Sequence, residues 1–542
     1  MHDQPIDVVV LGTGVAGLVA AITAHDAGAR VGLYEKSTLI GGTTAMSGGI
    51  IWMPNNHLQA DAAIDDSREL ALAYLDALSL DMIDSDMAAA FIDNGPVALQ
   101  YVHEHTPCEF SLLASYPDYH PEHPGGLPAG GRSVDNLVFP YPSLGDWAGK
   151  IRNQRGAMPV ALGETPLGGA TSSPDPSLIA ERMANGENGM GLALVGGLLR
   201  ACLDRGIEPH LEWKADHLVQ AGDGRVTGVR FQTNNGEQTI RAARGVVVAT
   251  GGFEFNAELA KSFLRGPMTG PAGSPENTGD GLVMAIEAGA RLANMGNSWW
   301  VPVTRVPGEE QFGAPRVSLI LLERTRPGSI MVNSTGQRFC NEAGNYNAMG
   351  GVFHQFDPVS FDYPNLPAWM IFDHGHKMRY DVASAPAGDT VPEWLAWGDT
   401  PERLAEVIGV DPQALAVTIA RFNEHASAGH DPDFHRGKSA YDTFNGDQTL
   451  PGIQATLGPL TQGPFYAIKI EQGSLGTNGG PKTDARGRVL AQRGGVIEGL
   501  WAAGNVMAAP TGLVYGGAGG TIGPALTFGW IAGGDAAVAP VA

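Results

Sequence analysis

Residues 7–35 read DVVVLGTGVAGLVAAITAHDAGARVGLYE. Asp7 to Leu11 is a β-branched run that predicts a buried strand, and the apolar stretch after the glycines predicts a helix. RVGLYE then predicts a second strand, ending on Glu35. Between the first strand and the helix stand Gly12, Gly14 and Gly17, the spacing of a dinucleotide-binding turn. Gly12 permits the tight turn, Gly14 lets a pyrophosphate approach, and Gly17 lets the helix pack on the sheet, with Val15 and Ala16 at the helix start beside the phosphates. Glu35 stands where an acid accepts from ribose hydroxyls. A lone GxGxxG is weak. The strand before it, the helix after it and the acid at the right distance make a ligand-free glycine turn the poorer reading. The fold expected is α/β.

The next residues are Lys36 and then STLIGGTTAMSGG, with Gly41, Gly42, Thr43, Thr44, Ser47, Gly48 and Gly49 supplying hydroxyls and bare backbone. This loop resembles the one that follows the ribose-binding acid in FAD enzymes of the fumarate reductase and succinate dehydrogenase type. Only one GxGxxG follows a strand, so FAD is expected without a separate NAD(P)H domain.

Composition narrows the function classes. The 542 residues are 43% hydrophobic and 17% charged, enough for a sizeable core in two domains or one domain with an insertion. A net charge of −23 argues against nucleic acid and anionic membranes, both of which need basic patches. Glycine, 75 residues in all, falls in discrete clusters suited to ligand approach. Cys108, Cys202 and Cys340 are far apart and odd in number, so reduced, buried thiols are expected. The apolar N-terminus lacks the basic start of a signal peptide and no run predicts a transmembrane segment, which points to a cytoplasmic enzyme.

Further along, residues 60–107 have helical texture, and 140–178, rich in Pro, Gly and Ser, predict a long surface loop. Thr250-Gly251-Gly252 ends a buried strand, and Asn277-Thr278-Gly279-Asp280 forms a polar turn before a helix. Both suit a cofactor, as do Gly504 and Asn505 in GLWAAGNV. From about Trp299 to Leu457 glycine clusters thin out while aromatics, prolines and charges rise. The expected plan is a Rossmann-like FAD-binding domain formed by both chain ends (1–298 and 458–542), with an inserted α+β substrate domain (299–457). Within the insert, SIMVN and RFCNE predict a β-hairpin around Ser334-Thr335-Gly336. Near the C-terminus, Tyr515 precedes the glycine turn 516–520, where Gly516, Gly517, Gly519 and Gly520 are expected to let the backbone lie close to a ligand. Thr521 is a candidate N-cap for an apolar helix from Ile522 to Ala537, whose start suits negative charge. His103-Glu104-His105 is not a metal spacing on a helix, and His120 with His123 could mimic a metal pair that nothing else in the sequence supports.

Together, LGTGVAGLVAA, EKSTLIGGTTAMSGG, DYHPEHPGG, RPGSIMVNSTGQRFCNEAGNY, GTNGG, LWAAGNV and YGGAGGTIGPALTFG resemble the 3-ketosteroid Δ1-dehydrogenase family in order and spacing. The resemblance implies loss of two hydrogens from adjacent ring carbons beside a ketone, one as hydride to the flavin N5 and one as a proton. It implies that Tyr515 and the Gly519 N–H hold the carbonyl oxygen, that Tyr346 is the base, and that Tyr119 assists it, with Tyr116 as the fallback. An ordinary tyrosine, with pKa near 10, needs such a relay to act as a base. Residues 140–178 have no counterpart in the pattern, and GGAGG lacks an expected proline, so a smaller cyclic ketone is an alternative small-molecule substrate. A fumarate-reductase-like enoate reductase would need cations at the flavin. No Lys or Arg follows Arg493, although Arg324, Arg326 and Arg338 stand elsewhere. A non-catalytic electron carrier would need no tyrosines beside the glycine turns. The electron acceptor expected is a quinone, O2 or a carrier.

Overall fold

The computed structural model describes residues 6–541 except 154, 155, 173 and 312. Strand β1 (Ile6–Leu11) leads through the glycine turn into helix α1 (Val15–Asp26) and strand β2 (Val31–Tyr34). Helix α2 (Met190–Asp204) packs on α1, and strand β3 (Gly236–Val248) lies parallel to β1 on the side away from β2. The chain then builds a second sheet from β4 (Ser298–Gln311), β5 (Ser329–Val332), β6 (Ala368–Phe372) and β7 (Phe465–Thr477). It returns to the first sheet as β8 (Val496–Ala502), parallel to β3, and ends in helix α3 (Ile522–Val538).

The parallel core therefore runs β2-β1-β3-β8, with strands from both ends of the chain in one sheet. Val8, Val9 and Val10 are fully buried, as are Val246 and Val247, because helices cover the sheet. Helix α3 lies against α1 at close range. A Cβ on Gly529 would stand 2.5 Å from the Ala16 carbonyl oxygen, and one on Gly533 2.4 Å from that of Ala20. The C-terminal helix is thereby locked onto the helix that begins at the dinucleotide turn.

The second sheet's main path is antiparallel, in the order (Ala314–Leu319)-β4-β7-β6-β5, with the short strand Gly270–Pro271 parallel to β7. Its central strand is β7, so this sheet runs beyond residue 457. The side chains of β7 alternate between two cores, Tyr466, Ile468 and Ile470 facing one and Phe465 and Ala467 the other. Its glycine-rich residues 473–477 form only the last part of the strand.

Three local expectations are corrected. The 329–342 hairpin is reduced to a single bridge, Val332 to Arg338, and β5 makes its ladder with β6. Arg338 and Glu342 are drawn into a buried charge network. Arg338 pairs with Glu342 at 2.8 Å and Asp431 at 2.9 Å, and Arg436 reaches Glu342 at 3.2 Å. Glu342→Gln is expected to cost about 3–5 kcal/mol, since two buried guanidiniums lose their shared partner. Urea unfolding of the variant measures it. Residues 140–178 are not merely a surface loop. They form 3-10 turns (Tyr141–Lys150, Leu162–Glu164, Pro166–Gly168), with Tyr141, Leu144, Ile151 and Leu162 buried. Thr521 does not cap α3. Its backbone is already helical (φ −98°, ψ −42°) and its side chain makes no cap bond, lining the cavity described below instead. Among the described residues no helix is long and apolar enough to cross a membrane.

Candidate active site

One cavity of about 1360 Å³ runs from the glycine turn after β1 to the tyrosines of the second half of the chain. Most residues expected to hold the nucleotide line it; Gly17, Gly41, Gly252, Thr278 and Gly279 do not. Gly17 faces inward, where a Cβ would meet the Gly12 carbonyl oxygen at 2.0 Å. Gly41 turns toward Ala45 and Val195. Gly14 does open on the cavity. A Cβ there would find nothing nearer than Thr44 Oγ1 at 3.5 Å, and one on Gly42 nothing within 4 Å. Thr250 Oγ1 is buried beside them without a hydrogen-bond partner among the described residues. A bare-backbone cradle with an unpaired hydroxyl fits a dinucleotide.

The acids of this end are already engaged. Glu35 accepts from the Thr13 N–H at 3.1 Å, the Thr13 hydroxyl at 2.6 Å and the Ser37 N–H at 3.0 Å. It ties the glycine turn to the end of β2, and burial pushes its carboxyl up despite those bonds. Lys36 is held by Asp280 at 2.5 Å and Thr278 at 2.7 Å.

At the other end, Tyr119, Tyr346 and Tyr515 come together from three distant segments. The Tyr119 hydroxyl donates to the Tyr346 hydroxyl at 2.9 Å. The rings of Tyr119 and Tyr515 stack with centroids 5.3 Å apart and planes 8° apart, and Tyr346 stands edge-on to Tyr515 at 5.6 Å. Backbone bonds hold this arrangement. The Tyr119 N–H donates to the Gly516 carbonyl at 3.0 Å, and the Tyr74 hydroxyl donates to the same oxygen at 2.8 Å. Asn345 Nδ2 donates to His120 Nε2 at 2.9 Å, joining the residue before Tyr346 to the residue after Tyr119.

The glycines after Tyr515 divide their work. Gly516 and Gly517, expected to approach a ligand, lie against Trp52 instead, where a Cβ would come within 2.5 Å and 2.4 Å of its ring. Trp52 in turn donates to Asp118 at 2.8 Å, next to Tyr119. Gly519 has φ +95° and passes close over Ile50 and Trp52, whose backbone atoms would meet a Cβ at 2.4 and 2.5 Å. Its carbonyl accepts from the Trp52 N–H at 3.1 Å. Its own N–H has no acceptor among the described residues and stands on the cavity wall beside Tyr515, one turn before α3.

Burial sets the electrostatics here. It pushes the hydroxyls of Tyr119 and Tyr346 well above the ordinary tyrosine range and raises that of Tyr515. The bond from Tyr119 acts in the opposite direction on Tyr346, as do Tyr346 and Thr521 on Tyr515. Burial also lowers His120 to about 4, so it is neutral beside Asn345. Among the described residues no group of three metal-ligating side chains occurs.

Tyr116 does not bond to Tyr346; its hydroxyl lies 3.5 Å from Asn445 Oδ1, and its ring packs on Phe444. Two aromatic neighbours escaped the sequence. Tyr441 stands edge-on to Tyr119 at 5.0 Å, and Trp299 edge-on to Tyr515 at 5.3 Å, its indole N–H donating to Asn505 at 3.3 Å. Trp299 lies at the junction where the glycine texture changes, the one signal available for it. Leu162, Thr165 and Leu167 bring the 140–178 segment to the cavity wall.

The FAD binding domain family model matches residues 7–522. A 4-oxocyclohexanecarboxylate 2-dehydrogenase of Sinomonas cyclohexanicum is 40% identical over 97% of this chain and 92% of its own. A 3-oxosteroid 1-dehydrogenase of Mycolicibacterium smegmatis is 38% identical over 100% of this chain and 99% of its own. The solved 3-ketosteroid delta1-dehydrogenase from Sterolibacterium denitrificans, in complex with 1,4-androstadiene-3,17-dione, superposes with a TM-score of 0.89 at 32% identity, covering 98% of this chain and 99% of that one.

Proposed function

The chain belongs to the FAD binding domain family and, within it, to the 3-ketosteroid Δ1-dehydrogenases, and from that premise we propose that it desaturates the carbon–carbon bond beside a ring ketone, taking a 3-ketosteroid as substrate. The single observation that carries this is the Tyr119–Tyr346 hydrogen bond, stacked against Tyr515, in the same cavity as the dinucleotide turn. FAD, when bound, supplies the hydride acceptor.

The chain's own residues govern the proton. Tyr515 and the unpaired Gly519 N–H donate to the ketone oxygen and stabilise the negative charge that develops on it as the α C–H loosens. Tyr346 takes the α proton, and Tyr119, already bonded to it, shares the load. The neighbouring carbon loses the hydride, and the electron pair left by the α proton becomes the new double bond. Tyr116 lines the cavity beside them, and Tyr441, Phe444 and Trp299 back the tyrosines from behind, so the site is aromatic and suits an apolar ring.

Of the arginines weighed for a dicarboxylate enoate reductase, Arg324 is buried on the carbonyls of Ile320 and Gly344, and Arg338 sits in the core charge network. Neither serves as a clamp beside the tyrosines; the third, Arg326, lines the cavity with its guanidinium over the Tyr380 ring. A monocyclic ketone is the second candidate substrate, favoured by the 40% identical relative that acts on 4-oxocyclohexanecarboxylate. A cytoplasmic location, supported by three buried free thiols, and a quinone, O2 or carrier as acceptor complete the proposal.

Anaerobic mixing of the holoenzyme with androst-4-ene-3,17-dione is expected to bleach the flavin absorbance. Bleaching by 4-oxocyclohexanecarboxylate or cyclohexanone alone moves the substrate to the monocyclic class. No bleaching by any ketone removes the proposed reaction.

A further inference from the structure

The cavity is lined by five cations, and four of them are already answered. Lys36 pairs with Asp280 at 2.5 Å, Arg152 with Glu276 at 3.7 Å, Arg305 with Glu471 at 3.7 Å, and Arg316 with Glu309 at 3.2 Å. Arg326 differs. Among the described residues no carboxylate lies within 4.0 Å of it, and its Nε is buried without a hydrogen-bond partner. Its guanidinium is laid over the Tyr380 ring, 4.7 Å from the centroid. Its backbone is pinned, since its carbonyl accepts from Ser329 at 2.9 Å and Arg436 at 2.8 Å. Glu323 and Asp381 share that wall of the cavity, but Glu323 is turned to the Leu321 N–H at 2.9 Å.

A half-buried guanidinium without a counterion is costly to keep, and one whose plane is fixed by an aromatic ring is preorganised for a planar anion. Its place in the fold is also specific. Thr325, the preceding residue, donates to the Asn445 carbonyl, and Asn445 meets the Tyr116 hydroxyl, so Arg326 is tied to the tyrosine cluster while lining the same cavity. We propose that Arg326 binds a carboxylate on the substrate, at the end remote from the ketone held by Tyr515 and Gly519. The substrate class is thus a cyclic ketone that is also an acid. This rests on the ketone-desaturation function proposed above, and it deepens it. The two notions of ring size remain distinct, because either a monocyclic or a steroidal keto acid carries the required group.

The test uses the FAD-loaded enzyme and pairs each acid with its methyl ester. The substrate pairs are 4-oxocyclohexanecarboxylate and androst-4-en-3-one-17β-carboxylate with their esters. Cyclohexanecarboxylate, which lacks the ketone, reports binding alone through the flavin spectrum. In the unmutated enzyme at least one acid is expected to exceed its ester in kcat/KM by about tenfold or more, and the pair that does so identifies the ring system. Arg326→Gln is expected to collapse that acid-to-ester ratio at least about tenfold and weaken cyclohexanecarboxylate by a similar factor, with Arg326→Lys, which keeps charge but loses the fork, in between. Acids and esters used equally by the unmutated enzyme, or a ratio that survives Arg326→Gln within twofold, overturns the proposal. If no ketone bleaches the flavin, the desaturation function falls, while cyclohexanecarboxylate binding still decides the role of Arg326: binding lost in Arg326→Gln upholds it, and binding retained or never seen overturns it.

Discussion

Tyr515→Phe and Tyr346→Phe are each expected to lower turnover about 10²–10³-fold while the flavin stays bound. Among the described residues neither hydroxyl is hydrogen-bonded to the glycine turn after β1, which is tied to Glu35, Gly41 and Thr44, so loss of one oxygen atom leaves the nucleotide end intact. On the proposed mechanism, what goes is different in the two cases. Without the Tyr515 hydroxyl, the developing oxyanion keeps only the Gly519 N–H. Without the Tyr346 hydroxyl, the α proton has no acceptor, and the Tyr119 hydroxyl loses its 2.9 Å partner. The pH profile tells them apart. Burial holds the Tyr346 hydroxyl well above the usual tyrosine range, so at neutral pH its basic form is scarce. Below its pKa the supply of that form grows tenfold per pH unit, so kcat/KM should climb from pH 7 toward pH 10. Tyr515→Phe should keep the climb at a reduced rate, and Tyr346→Phe should abolish it. Tyr119→Phe removes the bond that lowers Tyr346, so its climb should shift to higher pH. Near-normal turnover in both Tyr515→Phe and Tyr346→Phe would eliminate the proton route.

Which parts of this site were legible in the sequence follows from what each residue is required to do. Gly12, Gly14 and Glu35 could be read directly, because a backbone turn against a pyrophosphate tolerates few residues and fixes their spacing. A single tyrosine imposes no such pattern. Tyr119, Tyr346 and Tyr515 were legible only through the family resemblance, and their convergence depends on tertiary bonds such as Tyr119 N–H to Gly516, which no spacing encodes. Tyr441 carried no signal at all, since an edge-on aromatic contact is indifferent to sequence neighbours. Glycine texture also misled. It assigned Gly516 and Gly517 to a ligand when their bareness accommodates Trp52, and it drew β7 toward the cofactor domain when only the end of that strand reaches the cavity. The same absence of a side chain serves packing and binding alike, and sequence does not distinguish the two.

Gly12 is where both demands meet, and Gly12→Ala is expected to yield protein that binds FAD about 100-fold more weakly and unfolds at lower temperature. The residue has φ +102°, and an added Cβ would lie 2.4 Å from the Ala249 carbonyl oxygen. Neither side can yield. The Gly12 N–H is bonded to the Tyr34 carbonyl at 2.7 Å, and the Ala249 N–H to the Leu11 carbonyl at 2.8 Å, within the paired register of β1 and β3. Relief must come from the turn itself, which would pull Thr13 off Glu35 and tilt the start of α1 under α3. Gly14→Ala isolates the other demand. Its Cβ enters open cavity, 3.5 Å from Thr44 Oγ1, so the apo-protein should melt normally and yet lose flavin, because the methyl occupies the place of the pyrophosphate. Flavin absorbance per polypeptide and the melting temperature of flavin-stripped protein separate the two effects. A yellow Gly12→Ala protein with an unchanged melting temperature would mean that this turn is neither strained nor holding the cofactor.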